Sequence, residues 1–211
     1  MRRTRLHTRA GNVIRVSGLR WLPACAWSVF LLKVFGHRLR VPWLGYGALQ
    51  YLRRTVRRDW RILEFGSGLS SLLFAQSCAH LVSVESDMGW YKRMQEIFRS
   101  AGIKNVDYRY REGNAYCQHG DLEPNQFDLV VVDGMARADS AKLALRLVRP
   151  GGWIFFDDSD VPWSDFSTAR EVLLEAALPG EVMIFNDLRP FQIQANESML
   201  IRIDKLRVKP S

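Results

Sequence analysis

From about residue 60 onward, short apolar runs alternate with segments whose apolar positions recur at helical spacing. The most hydrophobic run, FDLVVVD at 127–133, has β-branched residues at consecutive positions. Such a run is typical of a central parallel strand that is covered on both faces. The pattern predicts five strands in succession, at 61–65, 80–85, 106–111, 127–133 and 153–157. It also predicts helices at 87–101, 138–147 and 165–177, and one after the first strand.

Two further strands are predicted near 182–185 and 198–203, beyond a final helix that Pro179 and Gly180 would close. No helical pattern separates them, so we expect an antiparallel terminal hairpin. Repeated βα units of this length predict an α/β fold with a doubly wound, mostly parallel seven-stranded sheet and an antiparallel C-terminal strand. A ligand would then bind at the carboxyl ends of the strands.

The positive charge is concentrated at the N-terminal end of the chain. Residues 1–61 contain 14 Lys and Arg and a single acid, Asp59, so this part carries +13, and because the whole chain is +8 the remainder is −5. This asymmetry favours an arm that meets an anionic surface. It argues against a basic groove that runs along the whole protein. We predict a helical, basic and apolar arm at 1–45, an α/β domain at 46–205 and a tail at 206–211.

The arm also contains the most apolar stretch, WLPACAWSVFLLKVF at 21–35. Pro23 and Lys33 interrupt it, and it is shorter than the roughly 20 residues that cross a bilayer. We expect a helix that packs on the domain, or one that lies in a membrane interface beside its arginines. The three cysteines are far apart and form no CxxC pair, which favours free thiols and a cytoplasmic protein. The second possibility is a cytoplasmic protein that is associated with the membrane surface through its arm.

A glycine loop follows the first strand, in the sequence LEFGSGLSS. Gly66 and Gly68 let the backbone turn sharply and approach a ligand without a side chain in between. Glu85 ends the next strand, 17 residues beyond Gly68, where a carboxylate can bind both hydroxyls of a ribose. A dinucleotide fingerprint would place a third glycine at Ser71, so a nicotinamide-dependent oxidoreductase is disfavoured.

The segments LEFGSGLSS, SVESDMGWY, REGNA, FDLVVVDG and RPGGWIFFDD resemble, in this order, the motifs of class I S-adenosylmethionine-dependent methyltransferases, which have a Rossmann-like fold. The resemblance covers about residues 61–160 and implies S-adenosylmethionine as cofactor. It implies that the glycine loop meets the amino-acid part of the cofactor, that Glu85 holds the ribose, and that residues after the third strand flank the adenine. The implied cofactor-binding residues are Glu64, Gly66, Ser67, Gly68, Glu85, Asn114, Ala115 and Asp133.

The fourth and fifth strands end in carboxylates. Asp133-Gly134 replaces the Asn/Asp-Pro-Pro-Tyr/Phe motif of enzymes that methylate exocyclic amines of bases, so base N-methylation is disfavoured. In the O-methyltransferases that the sequence resembles, an aspartate after the fourth strand and an Asp-Asn pair after the fifth bind a divalent metal. The matching positions here are Asp133, Asp157 and Asp158, which implies Mg²⁺. Against the metal, Ala136 stands where such enzymes have a lysine. The alternative is that Asp157 and Asp158 cap a turn and Asp133 orients the cofactor or the substrate hydroxyl.

The sequence thus predicts a methyltransferase that methylates a hydroxyl of a small-molecule or glycan-like acceptor, with Asp133 as the first candidate for the general base and Asp157 as the second. Trp43 and Tyr46 either line the site or belong to the core. Two alternatives remain open. One is a nucleic-acid methyltransferase that holds phosphates with the basic arm. The other is a non-catalytic membrane-surface protein that keeps the fold.

Overall fold

A computed structural model describes residues 4–203, and a single seven-stranded sheet in the order β3-β2-β1-β4-β5-β7-β6 forms its centre. β1 to β5 pair in parallel, whereas β7 is antiparallel to both of its neighbours. The predicted doubly wound sheet with an antiparallel C-terminal strand is confirmed. The strands are β1 (Arg61–Phe65), β2 (His80–Glu85), β3 (Val106–Tyr110), β4 (Phe127–Val132), β5 (Val148–Phe156), β6 (Ala177–Arg189) and β7 (Gln192–Ile203).

Six α-helices accompany the sheet in the described residues. They are α1 (Leu22–Phe35), α2 (Tyr46–Thr55), α3 (Leu69–Ser77), α4 (Met88–Ser100), α5 (Arg137–Leu147) and α6 (Ser164–Glu175). Two 3-10 turns, Val16–Trp21 and Gly113–Cys117, precede α1 and follow β3. The tail predicted at 206–211 lies outside the described residues.

The central strands are buried on both faces, as their apolar runs predict. Ile62 of β1 packs among α2 and α3, and the next residue, Leu63, packs on the opposite face among α5 and α6. Side chains of a strand alternate between the two faces, so a strand inside a two-sided α/β sheet needs apolar residues at consecutive positions. The helices cover the two faces and leave the carboxyl edge of the sheet free for a ligand.

The C-terminal part differs from the prediction in its boundaries. β5 begins at Val148, so the predicted turn at 149–152 lies inside a strand whose register shifts opposite β4. α6 ends at Glu175, and Pro179 and Gly180 lie within an irregular stretch of β6. β6 and β7 are 13 and 12 residues long, more than three times and twice the predicted lengths, because their hairpin extends beyond β5.

The N-terminal arm packs on this extended hairpin. The backbone N–H of Ala195 donates to the carbonyl of Arg5 at 2.8 Å, and Asn12 Nδ2 donates to Glu197 at 3.1 Å. In α1, Cys25 and Ser28 face the hairpin and are fully buried. The helical segment Val16–Phe35, which joins the 3-10 turn to α1, has 20 residues and is long and apolar enough by these two criteria to cross a membrane. The prediction that the apolar stretch is too short to cross a bilayer therefore holds for α1 alone, which has 14 residues, and not for the longer helical segment.

Candidate functional site

A cavity of about 800 Å³ lies at the carboxyl edge of the sheet, at the point between β1 and β4 where the strand order reverses. Open α/β sheets bind their ligands at such a point. The glycine loop after β1, the ends of β2, β4 and β5, and a segment of the arm at 38–44 form its walls. Its volume suits a ligand of cofactor size together with a small second molecule.

The glycine loop and Glu85 form one wall of this cavity. Ser67 donates to Glu85 Oε2 through its backbone N–H at 3.1 Å and through its hydroxyl at 2.7 Å. The other carboxylate oxygen accepts the backbone N–H groups of Ser86 and Asp87 at 2.7 and 2.8 Å. Both carboxylate oxygens thus accept hydrogen bonds from the backbone, so the two elements that the sequence places in register are in direct contact.

The bend at Gly66 is possible only without a side chain. Gly66 has φ +90°, and a Cβ atom there would lie 2.5 Å from the Cα of Gly134, which follows β4. The reverse also holds, because a Cβ on Gly134 would lie 2.7 Å from the nitrogen of Gly66. The backbones after β1 and β4 therefore touch, and this contact fixes the floor of the cavity.

Glu64 lies beneath the loop and is fully buried. Its carboxylate accepts hydrogen bonds from the hydroxyls of Ser70 at 2.8 Å, Ser83 at 3.0 Å and Ser71. Burial raises the pKa of Glu64 to about 7, although the three serine hydrogen bonds act in the opposite direction. The Ser71 hydroxyl also accepts the N–H of Gly68 at 2.9 Å. Ser71, at the position of the missing third glycine, thus ties the loop to Glu64.

Three arginines neutralise the carboxylates after β4 and β5. Arg137 Nη2 lies 3.1 Å from Asp133 Oδ1, and Arg9 Nη1 lies 2.9 Å from Asp158 Oδ1. Arg189 lies between two acids, 3.3 Å from Asp158 and 3.6 Å from Asp157. Each acid therefore has a guanidinium partner, and these partners come from α5, from the arm and from the end of β6.

Arg137 is the most deeply enclosed of these cations. Besides Asp133, it donates to the backbone carbonyls of Gly134, Val132 and Asp157 at 2.7 to 2.9 Å. Its guanidinium also lies over the ring of Phe166, 4.9 Å from the centroid. A planar group with five donors can satisfy all of these acceptors at once, which an ammonium group could not.

The three carboxyl groups have different protonation behaviour. Burial raises the pKa of Asp133 to about 6, against the opposing effect of Arg137. Burial also raises the pKa of Asp157 well above its usual value, and the neighbouring Asp133 and Asp158 charges add to this effect. Burial acts in the same direction at Asp158, but Arg189 and Arg9 outweigh it and lower the pKa of that carboxyl. Asp133, with a side chain 26% exposed, is the one most open to the cavity, whereas Asp157 is 1% exposed.

Comparison with known proteins identifies the domain. Residues 63–159 match a family model described as a methyltransferase domain. They form a methyltransferase domain. Most of the residues that line the cavity lie within this matched stretch of the chain.

Solved structures share the fold of this methyltransferase. A putative O-methyltransferase from Klebsiella pneumoniae has 20% identity and a TM-score of 0.62, covering 86% of this chain and 90% of that one. A SAM-dependent O-methyltransferase from Thermotoga maritima has 12% identity and a TM-score of 0.59, covering 84% and 71%. A tRNA (m1A58) methyltransferase from Aquifex aeolicus has 14% identity and a TM-score of 0.57, covering 78% and 72%. No curated protein matches the sequence.

Several predicted cofactor residues of the methyltransferase lie at the cavity. Those that line it are Gly66, Ser67, Gly68, Glu85 and Asp133. Glu64 does not line it, because its carboxylate is fully buried and bonded to three serines, so we assign it the role of holding the loop.

Asn114 and Ala115 do not line the cavity either. Both are exposed in the 3-10 turn after β3, beside a separate surface depression. Ser86 and Met135 do line the main cavity, with the Ser86 hydroxyl 3.1 Å from the Met135 sulfur. The structure does not place Asn114 and Ala115 at the cavity wall, and the adenine contacts that the resemblance implies for them stay a prediction.

The metal prediction at Asp133, Asp157 and Asp158 is wrong for the described residues. No group of three His, Cys, Asp or Glu side chains in the described part of the chain could hold a metal ion. The physical reason is the donor set: Arg137, Arg189 and Arg9 occupy the positions from which a cation would balance the acids. A hard divalent ion needs free carboxylate oxygens, whereas Asp133 and Asp158 already accept hydrogen bonds from guanidinium groups and Asp157 accepts one from Asn196.

The two aromatic candidates, Trp43 and Tyr46, have different surroundings. Trp43 lines the cavity and lies under the guanidinium groups of Arg38 and Arg189. Tyr46 does not line it and instead stacks on Trp21, with ring centroids 4.9 Å apart. Trp90 is one of the wall residues that the sequence did not predict. Its indole N–H donates to the carbonyl of Ser67 at 2.7 Å and braces the glycine loop. Its only signal in the sequence is its place in the first turn of α4, close after Glu85.

Proposed function

We propose that this methyltransferase transfers a methyl group to a hydroxyl of a small-molecule or glycan-like acceptor, with Asp133 as general base. The observation that carries the proposal is the position of Asp133: a carboxylate with a pKa of about 6 at the wall of the same cavity as the glycine loop and Glu85. A base with a pKa near the working pH is suited to take the proton from a hydroxyl acceptor.

The residues at the cavity fit S-adenosylmethionine. Gly66 and Gly68 present bare backbone, and the Glu85 carboxylate can accept hydrogen bonds from two ribose hydroxyls. When bound, the cofactor supplies an electrophilic sulfonium methyl group. The chain's own part is then to align the acceptor, exclude water and receive one proton at Asp133. Arg137 holds Asp133 in place and stabilises its ionised form.

Asp157 is the weaker candidate for the base. Its carboxylate accepts a hydrogen bond from Asn196 at 3.1 Å, and Arg189 lies 3.6 Å away. These contacts and its near-complete burial favour a role in positioning Arg189 and the end of β5. We therefore assign proton removal to Asp133.

Cofactor binding is tested by replacing Glu85. We expect calorimetric titration with S-adenosylhomocysteine to show affinity at least tenfold weaker for Glu85→Ala, about 1.4 kcal/mol or more, because hydrogen bonds to a charged group are lost. Glu96→Ala is the matched control, since Glu96 also lines the cavity but forms its ion pair with Arg99 at the surface. Equal affinity of the wild type and Glu85→Ala would reject the ribose assignment.

The chemistry is tested by replacing Asp133. With the small-molecule fraction of a cell extract as acceptor source, we expect Asp133→Asn to lower the release of S-adenosylhomocysteine by about 100-fold or more. Since the ionised carboxylate is the active form, wild-type kcat/KM should rise as the pH increases through about 6. The variant should lack this rise. Asp139→Asn, at an exposed position of α5, should behave as the wild type.

The same assay distinguishes the alternative acceptors. The second candidate acceptor is a nucleic acid whose phosphates the basic arm would hold. A tRNA methyltransferase is among the structures of similar fold. Methyl transfer to RNA, with affinity that falls steeply as salt rises, would support that function and reject ours. Cofactor binding without turnover on either fraction would favour a non-catalytic protein. Arg9 argues against a free nucleic-acid arm, since it already pairs with Asp158.

A further inference from the structure

Helix α1 shows the reverse of the usual pattern for a helix on a protein in water. Its two buried residues are the small Cys25 and Ser28, whereas Trp27 and Phe35 are 57% and 67% exposed. Phe30 and Val34 are exposed as well. A helix that packs on a water-soluble domain normally turns its large apolar side chains to the core. We call the surface formed by Trp27, Phe30, Val34 and Phe35 the aromatic face.

The orientation of α1 is fixed by polar contacts on its inner side. The Ser28 hydroxyl donates to the carbonyl of Cys25 at 2.7 Å and accepts the N–H of Phe191 at 2.9 Å. The Cys25 thiol donates to the carbonyl of Arg189 at 3.3 Å. These bonds attach the helix to the tip of the β6–β7 hairpin, so the aromatic face cannot turn inward without breaking them.

The exposed rings form one continuous cluster. The Trp27 and Phe30 rings stack with centroids 5.6 Å apart, and the Phe30 and Phe35 rings meet edge to face at 5.7 Å. A contiguous apolar surface of this kind marks an interaction site. Tryptophan in particular is enriched where a protein meets the interface between lipid and water.

Three cations lie on α1 or shortly after it, close to the aromatic face in the sequence. Lys33 lies on α1 itself, and Arg38 and Arg40 follow its end. All three are exposed, and none forms an ion pair with an acid among residues 4–203. Two copies of this chain meeting through the face would bring these like charges together, whereas a surface that carries negative charge would attract them. The −5 charge of residues 62–211 would in turn be repelled from such a surface.

The geometry points to an anionic bilayer as the partner of this surface: the aromatic face enters the interfacial layer of the membrane while Lys33, Arg38 and Arg40 contact lipid headgroups. Apolar burial and attraction to anionic lipid act together in such binding. Because Arg38, Arg40 and Trp43 also line the cavity, the docked protein holds its cavity mouth beside the membrane surface.

Vesicle sedimentation of the full chain tests this proposal. We expect binding to phosphatidylcholine vesicles that contain about a third phosphatidylglycerol, and much weaker binding to pure phosphatidylcholine or at high salt. Trp27→Ser combined with Phe30→Ser should weaken binding about tenfold or more, since the buried apolar area is lost. Lys33→Glu should weaken it as well. Both variants should keep the wild-type affinity for S-adenosylhomocysteine, because these residues do not line the cavity.

Two matched controls lie at the amino ends of the parallel strands, away from the hairpin tip on which α1 packs. Leu174→Ser removes an exposed apolar side chain near the end of α6, and Arg58→Glu reverses an exposed charge just before β1. Both should bind vesicles as the wild type does. The proposal is overturned if anionic vesicles do not bind the protein or if the Trp27/Phe30 variant binds equally well. It is also overturned if the protein resists alkaline carbonate extraction, as a spanning helix would, or if light scattering shows a dimer that this variant abolishes.

Discussion

Gly66→Ala is expected to lower the free energy of unfolding by about 3 kcal/mol or more, since a left-handed backbone costs a non-glycine residue roughly 1–2 kcal/mol and forced overpacking adds roughly 1–3. Both costs apply here, because φ is +90° and the added Cβ would lie 2.5–2.7 Å from the backbone of Asp133 and Gly134. Those atoms belong to the chain after β4 and cannot move aside as a flexible side chain would. Chemical denaturation measures the loss.

Two other glycines separate the contributions to this effect. Gly102 also has a positive φ, +67°, but nothing lies within 4 Å of an added Cβ, so Gly102→Ala should show the backbone cost alone, about 1 kcal/mol. Gly120 has open space and no positive φ, so Gly120→Ala should have little effect. If Gly66→Ala is no more destabilising than Gly102→Ala, the contact between the turns after β1 and β4 is not as close as the structure has it.

Arg137→Met is expected to destabilise the protein by about 3–5 kcal/mol, because removing one partner of a buried ion pair leaves the other charge uncompensated. Arg137 is almost fully buried, and three backbone carbonyls besides Asp133 would lose their donor. Methionine keeps much of the volume beside Phe166, so the loss reflects charge and hydrogen bonding more than packing. Thermal and chemical denaturation measure it.

A double mutant assigns part of this loss to Asp133. In the Asp133→Asn background, Arg137→Met should cost about 1–3 kcal/mol less, since no unpaired carboxylate then remains at that position. Arg99→Met is the control, because Arg99 pairs with Glu96 at the surface and should show no measurable change. Strictly additive losses in the double mutant would show that Arg137 acts through the backbone carbonyls and not through Asp133.

The sequence predicts the parallel part of the fold well because burial leaves a clear local pattern there. β1 and β2 have the predicted bounds, Arg61–Phe65 and His80–Glu85, since both are apolar runs ended by a glycine loop or an acid. β6 and β7 are longer than predicted because their outer halves pack on the N-terminal arm, including α1. That packing is between segments far apart in sequence, which no local pattern contains.

The candidate site divides in the same way. The glycine loop and Glu85 are each recognisable from their own strand end, and the structure brings them together. The partners of the carboxylates are not recognisable in this way, because Arg9 lies 149 residues from Asp158 in the sequence, and Arg189 lies 31 residues from it. Three acids without visible partners suggested a metal. The fold supplies guanidinium groups instead, and only the tertiary structure could show this.

The route of the N-terminal arm means that this protein is not assembled from independent modules. The same short segment that carries Arg9 to Asp158 and Asp160 also forms a backbone hydrogen bond with β7, and it leads on to α1. The part of the chain that would touch a membrane and the part that would transfer a methyl group are therefore interlocked. Selection on one cannot change the arm freely without disturbing the charge balance of the other.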